Sequence, residues 1–288
     1  KTFDIFVGIF LFLATVFAIY PFLYTISMSI SGAEAIRRGL IWLYPRDITF
    51  ETYIQVFKMP ELWRAYYNTV WITFFGVIFC IFFTMTAAYA LSIKNFFARR
   101  IIMKIFIFTM FFSGGFIPLF ILMLNLNLYD TRWAVVLPSA TGAWYIIIAR
   151  TYIESTISPS LYESAKIEGY NEIGIFLRIV LPLSKTIMAV LALFSAVAMW
   201  NAYFYPLIFL VDRSIRPLSL FLKSILINPL NEIEQMINVS EENLVRRIAF
   251  ALRVRYSSII VTILPIICVY PFVQKYFIKG VMIGSIKE

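Results

Sequence analysis

The 288-residue sequence contains no histidine, only two cysteines and only 14% charged residues. Each shortage removes a class of function. Without histidine there is no Ser-His-Asp or Cys-His nucleophile system, no HExxH zinc site and no imidazole proton relay. Cys80 and Cys268 sit in separate apolar runs far apart in the chain. They offer nothing for a disulfide framework or a thiolate metal site, and each reads as a small buried hydrophobe. No G-x-x-x-x-G-K-[S/T] sequence occurs, so no phosphate-cradling P-loop is encoded. The 25 Lys+Arg and 16 Asp+Glu cannot cover the surface of a soluble domain of this length.

What is present is apolar: 61% hydrophobic residues, 18% aromatic, and a mean hydropathy of +0.84. This is the composition of an integral membrane protein. The net charge of +9 does not point to nucleic acid, because the basic residues lie between apolar runs. They form no stripe interleaved with stacking aromatics, and such flanking charge anchors helix ends and sets orientation. The first residue is Lys1, so a few residues are expected ahead of it. Nothing before Asp4 reads as a cleavable signal, and the first apolar run is too long for one.

A helix crosses the bilayer core with roughly 20 apolar residues, and six runs of about that size are expected to span. They are Ile5 to Ile30, Thr69 to Ile93, Ile105 to Leu124, Ala134 to Ala149, Ile187 to Val211 and Ser257 to Phe277. The fourth is short. None alternates in polarity as a barrel strand would. Lys94, Arg99, Arg100 and Lys104 lie between the second and third runs with no acid among them, whereas the connection Asn125 to Trp133 has only Arg132 against Asp130. By the positive-inside rule the first loop is cytoplasmic. An even number of spans then places both termini and the loop Arg150 to Lys185 in the cytoplasm, with Ser31 to Tyr67 and Asp212 to Tyr256 outside. Those external stretches also carry basic residues, among them Arg37, Arg38, Arg246 and Arg253, so the assignment rests on the short loops. Pro21, Pro118, Pro138, Pro206, Pro265 and Pro271 punctuate nearly every run. A proline frees carbonyls that must find partners, which is tolerable where helices pack around a path, although proline is also simply commoner in membrane helices. No Asp, Glu, Lys or Arg falls well inside a run. Ion-driven carriers bury one at mid-membrane depth, so the energy for any transport is expected from elsewhere.

The loop segment Ile157 to Leu183 reads ISPSLYESAKIEGYNEIGIFLRIVLPL. Ser160 and Glu163 have capping-box spacing, with Pro159 just ahead, and predict the start of a short helix. Gly169 supplies the left-handed residue that stops it. Asn171 caps a second short helix, which Pro182 is expected to end. The product is a rigid helix-turn-helix on the membrane face, its first helix roughly 15 Å long, suited to docking.

These residues carry a resemblance. Glu163, Ser164 and Ala165, then Gly169, then Ile179, Leu181 and Pro182 resemble the EAA loop of permease subunits in binding-protein-dependent ABC importers, with Ser164 in place of the usual middle alanine. Tyr152, Trp200 and Asn201, Pro206 and Leu207, and Pro217 to Leu222 resemble the complex-carbohydrate branch of the maltose-type permeases. Pro45, Thr49, Tyr53, Asn68, Thr69 and Ala87 to Ser92 fit the same branch. The ending YPFVQKYFIKGVMIGSIKE, Tyr270 to Glu288, is similar to polysaccharide and oligosaccharide permeases served by a lipid-anchored binding protein. The likeness is weakest over Asn228 to Val245. It implies an all-α, polytopic membrane protein of six transmembrane helices with the MetI-like ABC importer permease fold. Residues 1–67 would hold the first span and an external segment. Residues 68–280 would form the core permease domain with the coupling loop 151–185, and 281–288 a cytoplasmic tail.

The resemblance further implies that the loop forms a coupling helix held in a cleft of a cytoplasmic ATPase. Glu163 would pair with a basic residue there, Ala165 would keep the contact face small, and Gly169 would set the turn. Bare residue logic allows Glu163 only to complete a capping box and Gly169 only to cap. The implied partners are a homologous second permease, two ATPase copies that hold ATP and Mg, an extracellular solute-binding lipoprotein and an oligosaccharide or polysaccharide. No cofactor is expected on this chain, and the chain is expected to be a transport subunit rather than an enzyme.

Asn201, with Trp200, Tyr203 and Tyr205, is the polar candidate for lining a sugar path, since aromatic faces stack on C–H patches and amides bond hydroxyls. The same aromatics suit an interfacial belt. Pro217 to Leu226 and Ser240 to Ala251 read as amphipathic external helices for docking a binding protein. The sequon Asn238-Val239-Ser240 carries no functional weight. Gly280, Met282 and Gly284 are placed by the resemblance against the ATPase, or fray as a terminus. Two rival classes stay in view. A polytopic enzyme acting on lipid-linked sugars needs a carboxylate pair or acidic metal motif. Glu154, Glu163, Glu168 and Glu172 cluster in the loop, but Glu168 and Glu172 straddle the Gly169 break and no DxD pattern accompanies them. A secondary sugar carrier lacks its intramembrane charge.

Overall fold

A computed structural model describes residues 2–227 and 244–285, with side chains for residues 3–227 and 248–268. Among the described residues the fold is helical without strands. In chain order the helices are α1 Thr2–Ile30, α2 Ala33–Arg37, α3 Glu51–Lys58, α4 Pro60–Ser92, α5 Arg99–Phe111, α6 Phe116–Asn125 and α7 Trp133–Val136. They continue as α8 Ala143–Thr156, α9 Pro159–Ile167, α10 Glu172–Leu183, α11 Lys185–Trp200, α12 Phe204–Phe209, α13 Leu218–Ile227 and α14 Leu244–Ser285.

The apolar runs predict helical spans, and the breaks between helices refine them. Three helices are long and apolar enough to cross a bilayer alone: α1, α4 and, within α14, Ile248–Cys268. Two bent pairs bring the number to five, α5 with α6 at 113° and α10 with α11 at 78°. The run Ile105 to Leu124 is therefore not one straight span. It breaks over 112–115, where Gly115 takes a φ of +83° that only glycine adopts without strain. The run Ala134 to Ala149 is split between α7 and α8 by a turn containing Pro138, and neither half alone is long enough to span. The run Ile187 to Val211 is interrupted between α11 and α12. Proline marks fewer breaks than the sequence suggests. Pro21 sits inside the continuous α1, whose Thr25 hydroxyl takes up the Pro21 carbonyl at 2.7 Å, while Pro118 and Pro206 fall in first turns where no intrahelical N–H is needed.

The chain divides into two compact units. The first comprises residues 1–66 and 217–269. Its α1 is exposed over most of its length, and only the last turns pack, through Met28 against Ala35 and Ile41. A buried hydroxyl seam joins the elements: Ser29 Oγ lies 2.7 Å from Tyr53 Oη, Thr52 Oγ1 lies 2.9 Å from Ser257 Oγ, and Ser27 donates to Leu43 O at 2.6 Å. Such bonds satisfy polar groups that would otherwise be stranded away from water. Arg253 is also buried there, with one nitrogen 3.4 Å from a Glu51 oxygen. On the exposed α2, Arg37 and Arg38 hold the Glu34 carboxyl down to about pKa 2.

The second unit comprises residues 67–216 and 270–288. One of its clusters gathers Met85, Ala88 and Tyr89 of α4 with Ile153 of α8, Ala165 of α9 and Ile175 of α10. At the middle of α4, Gly76 admits the buried Met199 of α11, for a Cβ at Gly76 would lie 2.6 Å from Met199 Cγ. The tail residues Gly280, Met282 and Gly284 lie on the α14 backbone, and their contacts lie outside the described residues. The sequon Asn238-Val239-Ser240 lies wholly outside them, as does the start of the expected helix Ser240 to Ala251, whereas Pro217 to Leu226 matches α13 within a residue.

Candidate coupling site

The loop Arg150 to Lys185 folds as the helix-turn-helix that its sequence predicts, with two corrections at its boundaries. Helix α9 begins at Pro159 with Ser158 as N-cap, so Ser160 is the second helical residue and the capping box with Glu163 does not form. The reason is Pro159, whose fixed φ and missing N–H favour the first helical position and draw the start forward. Ser160 Oγ instead lies 2.8 Å from Ser158 Oγ. At the other end Pro182 does not stop α10. A π-helical turn over Phe176–Val180 precedes it, and the break falls at Ser184. The wide turn fits the proline ring, which has no N–H for the normal ladder and crowds the carbonyl four residues back.

The turn itself is a Schellman motif. Gly169 has a φ of +85°, its N–H donates to Lys166 O at 3.0 Å, and the Tyr170 N–H donates to Ala165 O at 3.0 Å. Asn171 then caps α10, its Oδ1 accepting from Gly174 N at 2.7 Å. Both helix ends are satisfied locally, which makes the pair stiff.

The loop is also braced to the rest of its unit. Glu172 accepts from the Tyr89 hydroxyl at 2.7 Å and pairs with Lys166 Nζ at 2.9 Å, so one carboxylate links α4, α9 and α10. The Tyr89 ring stacks on Phe176 at 5.3 Å, and Arg178 sits 5.3 Å over the Tyr170 ring. These ties join residues up to 83 positions apart, and no spacing rule connects them.

The residues of the EAA-like pattern separate into two sets. Ala165 is buried at 3% exposure against the chain's own core, and Ile179 and Leu181 pack on the same cluster. The resemblance puts Ala165 on a docking face; its small side chain instead lets α9 lie close against α4 and α8. Glu163, Ser164, Gly169 and Pro182 are exposed. Glu163 makes no hydrogen bond or ion pair among the described residues, and it borders a cavity of about 570 Å³ with Lys94, Arg99, Lys166 and Glu172. Two residues absent from the sequence reading stand out beside it: Ile167 at 88% exposure and Ile173 at 68%, one on each side of the turn. Large apolar side chains held out by a capped turn mark a contact surface. Their signal in the sequence was faint, because isoleucine in so apolar a chain reads as core or lipid contact.

Trp200, Asn201, Tyr203 and Tyr205 all lie at the break between α11 and α12. Asn201 is the C-cap of α11, and its amide donates to Val197 O at 2.9 Å, ending that helix with its own side chain. Tyr203 is exposed, while Tyr205 packs beside Phe209 at 5.9 Å. The structure thus gives the exposed Asn201 a bond that ends its own helix.

A polar knot at the other end of the unit escaped the sequence reading. Buried Asn68 donates to Ser214 O at 2.8 Å and Arg216 O at 3.0 Å, and accepts from Arg132 Nε at 2.8 Å. The Arg132 guanidinium lies over the rings of Tyr67 and Trp71 at 5.3 and 5.4 Å. Asp130, at a φ of +56°, accepts the Val211 and Asp212 amides at 2.8 and 2.9 Å. Asp212 accepts from the hydroxyl and amide of Ser214, which hold its carboxyl below the usual range. The knot fixes the segment after the broken fifth run.

The family model for the binding-protein-dependent transport system inner membrane component matches residues 62–283. The chain is 35% identical over 269 residues to the protein LplC of Bacillus subtilis (strain 168), covering 93% of this chain and 89% of that one. It is 33% identical over 293 residues to the polygalacturonan/rhamnogalacturonan transport system permease protein YtcP of the same organism, covering 100% and 99%. One chain of a solved bacterial ABC transporter involved in the import of the acidic polysaccharide alginate superposes with a TM-score of 0.85 at 34% identity, over 96% of each chain. A braced, capped helix-turn-helix within a bent-helix membrane fold, together with these matches, identifies the chain as a member of the binding-protein-dependent transport system inner membrane component family, a transport subunit and not an enzyme.

Proposed function

We propose that this chain forms one half of the membrane pathway of an ATP-driven importer for oligosaccharides or polysaccharide fragments, with both termini and the 159–183 helix-turn-helix on the cytoplasmic side. The observation that carries the reading is the outward face of that element. Glu163 is exposed and unpaired among the described residues, with Ile167 and Ile173 held out by the Gly169 turn. A stiff element of this kind transmits force as a rigid body. A cytoplasmic ATPase, one of two copies that hold ATP and Mg, grips the helix, with Glu163 meeting a basic residue and the two isoleucines filling its cleft. Closure of the ATPase pair favours an outward-open arrangement because ATP binds the closed pair more tightly. The Glu172 bridge carries the movement into α4.

A homologous second permease completes the path, and an extracellular binding lipoprotein delivers the sugar. The tail Gly280, Met282 and Gly284 packs against the ATPase, and Trp200, Asn201 and Tyr203 line the path near the break in the fifth run. The substrate class rests on the relatives, two of which are named for polygalacturonan/rhamnogalacturonan and arabinooligosaccharide transport.

The test is reconstitution of the complete importer. Glu163→Ala combined with Ile167→Ser is expected to lower ATPase co-purification and substrate-stimulated ATP hydrolysis at least about tenfold, consistent with loss of a charged and an apolar contact at an interface centre. Full retention of both would remove the docking role. Asn201→Leu is expected to change oligosaccharide uptake with assembly intact, and normal uptake for every chain length would dismiss it as a path residue.

A further inference from the structure

The second unit contains a basic cavity that coupling does not use. It has a volume of about 780 Å³ and lies where α4 ends and α5 begins, with Lys94, Arg99, Arg100, Lys104 and Arg150 on its walls beside Phe97. No carboxylate lines it. Glu154 compensates two of the five cations: it pairs with Arg99 and, at 3.0 Å, with Arg150. Lys94, Arg100 and Lys104 have no ion pair among the described residues. Three like charges around one concavity repel unless an anion enters it.

The rim shows what kind of anion. Phe97 is 92% exposed, and Ile107 and Phe111, spaced to share the α5 face of the cavity-lining Arg100 and Lys104, are 42% and 77% exposed. An apolar stripe running away from a cationic pocket suits a molecule with a charged head and long hydrocarbon tails. A soluble phosphate would have no use for it.

We propose that this cavity binds the headgroup phosphates of an anionic phospholipid of the adjoining leaflet, its acyl chains lying along the exposed face of α5. The inference rests on the proposed function, whose cytoplasmic 159–183 element shares a cavity with Lys94 and Arg99 and so puts the 94–104 segment on the same side. Basic pockets beside membrane helices on that side suit diphosphate or monophosphate headgroups. The cavity also shares Lys94, Asn95 and Arg99 with the cavity that Glu163 borders, so a bound lipid sits next to the coupling element.

The experiment uses the complete importer in nanodiscs of phosphatidylcholine with a minor fraction of cardiolipin, followed by detergent exchange and mass spectrometry of retained lipid. Wild type is expected to retain cardiolipin well above its share. The triple variant Lys94→Gln, Arg100→Gln, Lys104→Gln should lose at least about tenfold of that enrichment, given the contribution of each cation near a lipid surface. The charge-conserving set Lys94→Arg, Arg100→Lys, Lys104→Arg should keep it, which separates charge from folding. Inorganic phosphate should fail to displace the lipid. Equal retention in the glutamine variant would overturn the proposal, and so would displacement by phosphate alone, which would make this a free-anion site. Phe97→Cys in a Cys268→Ser background, labelled by an impermeant maleimide from one side only, reports the orientation separately. An outward Phe97 would fail the functional reading, whereas an inward Phe97 with no enrichment would fail the lipid site alone.

Discussion

A single backbone angle decides what can stand at position 169. Nothing lies within 4 Å of a Cβ built on Gly169, so bulk is not the obstacle that a tight turn suggests, and the φ of +85° is. Gly169→Ala is expected to cost about 1 kcal/mol through the left-handed conformation, and Gly169→Asn clearly less. Thermal unfolding of the purified importer measures both, and equal melting of all three proteins would deny the strain. Glu163 shows the converse, an exposed residue with no partner among the described residues, for which the proposed role lies outside the chain. Asp212 supplies a pH expectation. Its folded pKa is lowered by the Ser214 bonds, so the carboxylate's contribution is complete above the ordinary value and is lost as the pH falls through the lowered one. The melting difference between wild type and Asp212→Asn should hold constant from pH 8 to 5 and shrink below about pH 4. A change between pH 8 and 6 would contradict this.

Among the elements, close approach and capped breaks govern the second unit. The contact of α4 with α11 depends on the missing side chain at Gly76, because Met199 is buried there and has little room to withdraw. Gly76→Val is expected to destabilise by about 1 to 3 kcal/mol through overpacking. Gly8→Ala, where a Cβ meets nothing, serves as the control on α1. Equal melting of the two variants would remove the packing argument. At the polar knot, Asp130→Ala strands two amides and places alanine at a φ of +56°. It should melt below Asp130→Asn, which keeps an acceptor and tolerates the left-handed region. Identical unfolding would show that the amides find other partners.

For the whole molecule, the exposed α1 matters most. Its apolar window is 0% buried, and Phe3, Phe6, Phe10 and Phe17 are each more than 60% exposed, so lipid or a partner must cover it. Under the proposed heterodimer, co-expression with the second permease should raise the yield of monodisperse protein over expression alone. Size-exclusion profiles that do not differ would argue that lipid suffices.

Composition alone determined that the chain belongs in a membrane, because too few charges exist to solvate a surface of this size. Local signals determined the helix-turn-helix: the Gly169 stop and the Asn171 cap are set by interactions spanning a few residues, and both stand as read. The start at Pro159 and the passage through Pro182 were misread because neighbouring signals competed, Ser160 with Pro159 and proline with a π-turn. Tertiary structure alone decided the rest. It turned Ala165 inward and Ile167 and Ile173 outward, bent the third apolar run at Gly115, and joined Tyr89 to Glu172 and Asn68 to Arg132. The physical reason is range: caps and turns are closed by atoms a few positions apart, whereas burial and long-range polar ties depend on which helices meet, and hydrophobicity does not specify partners.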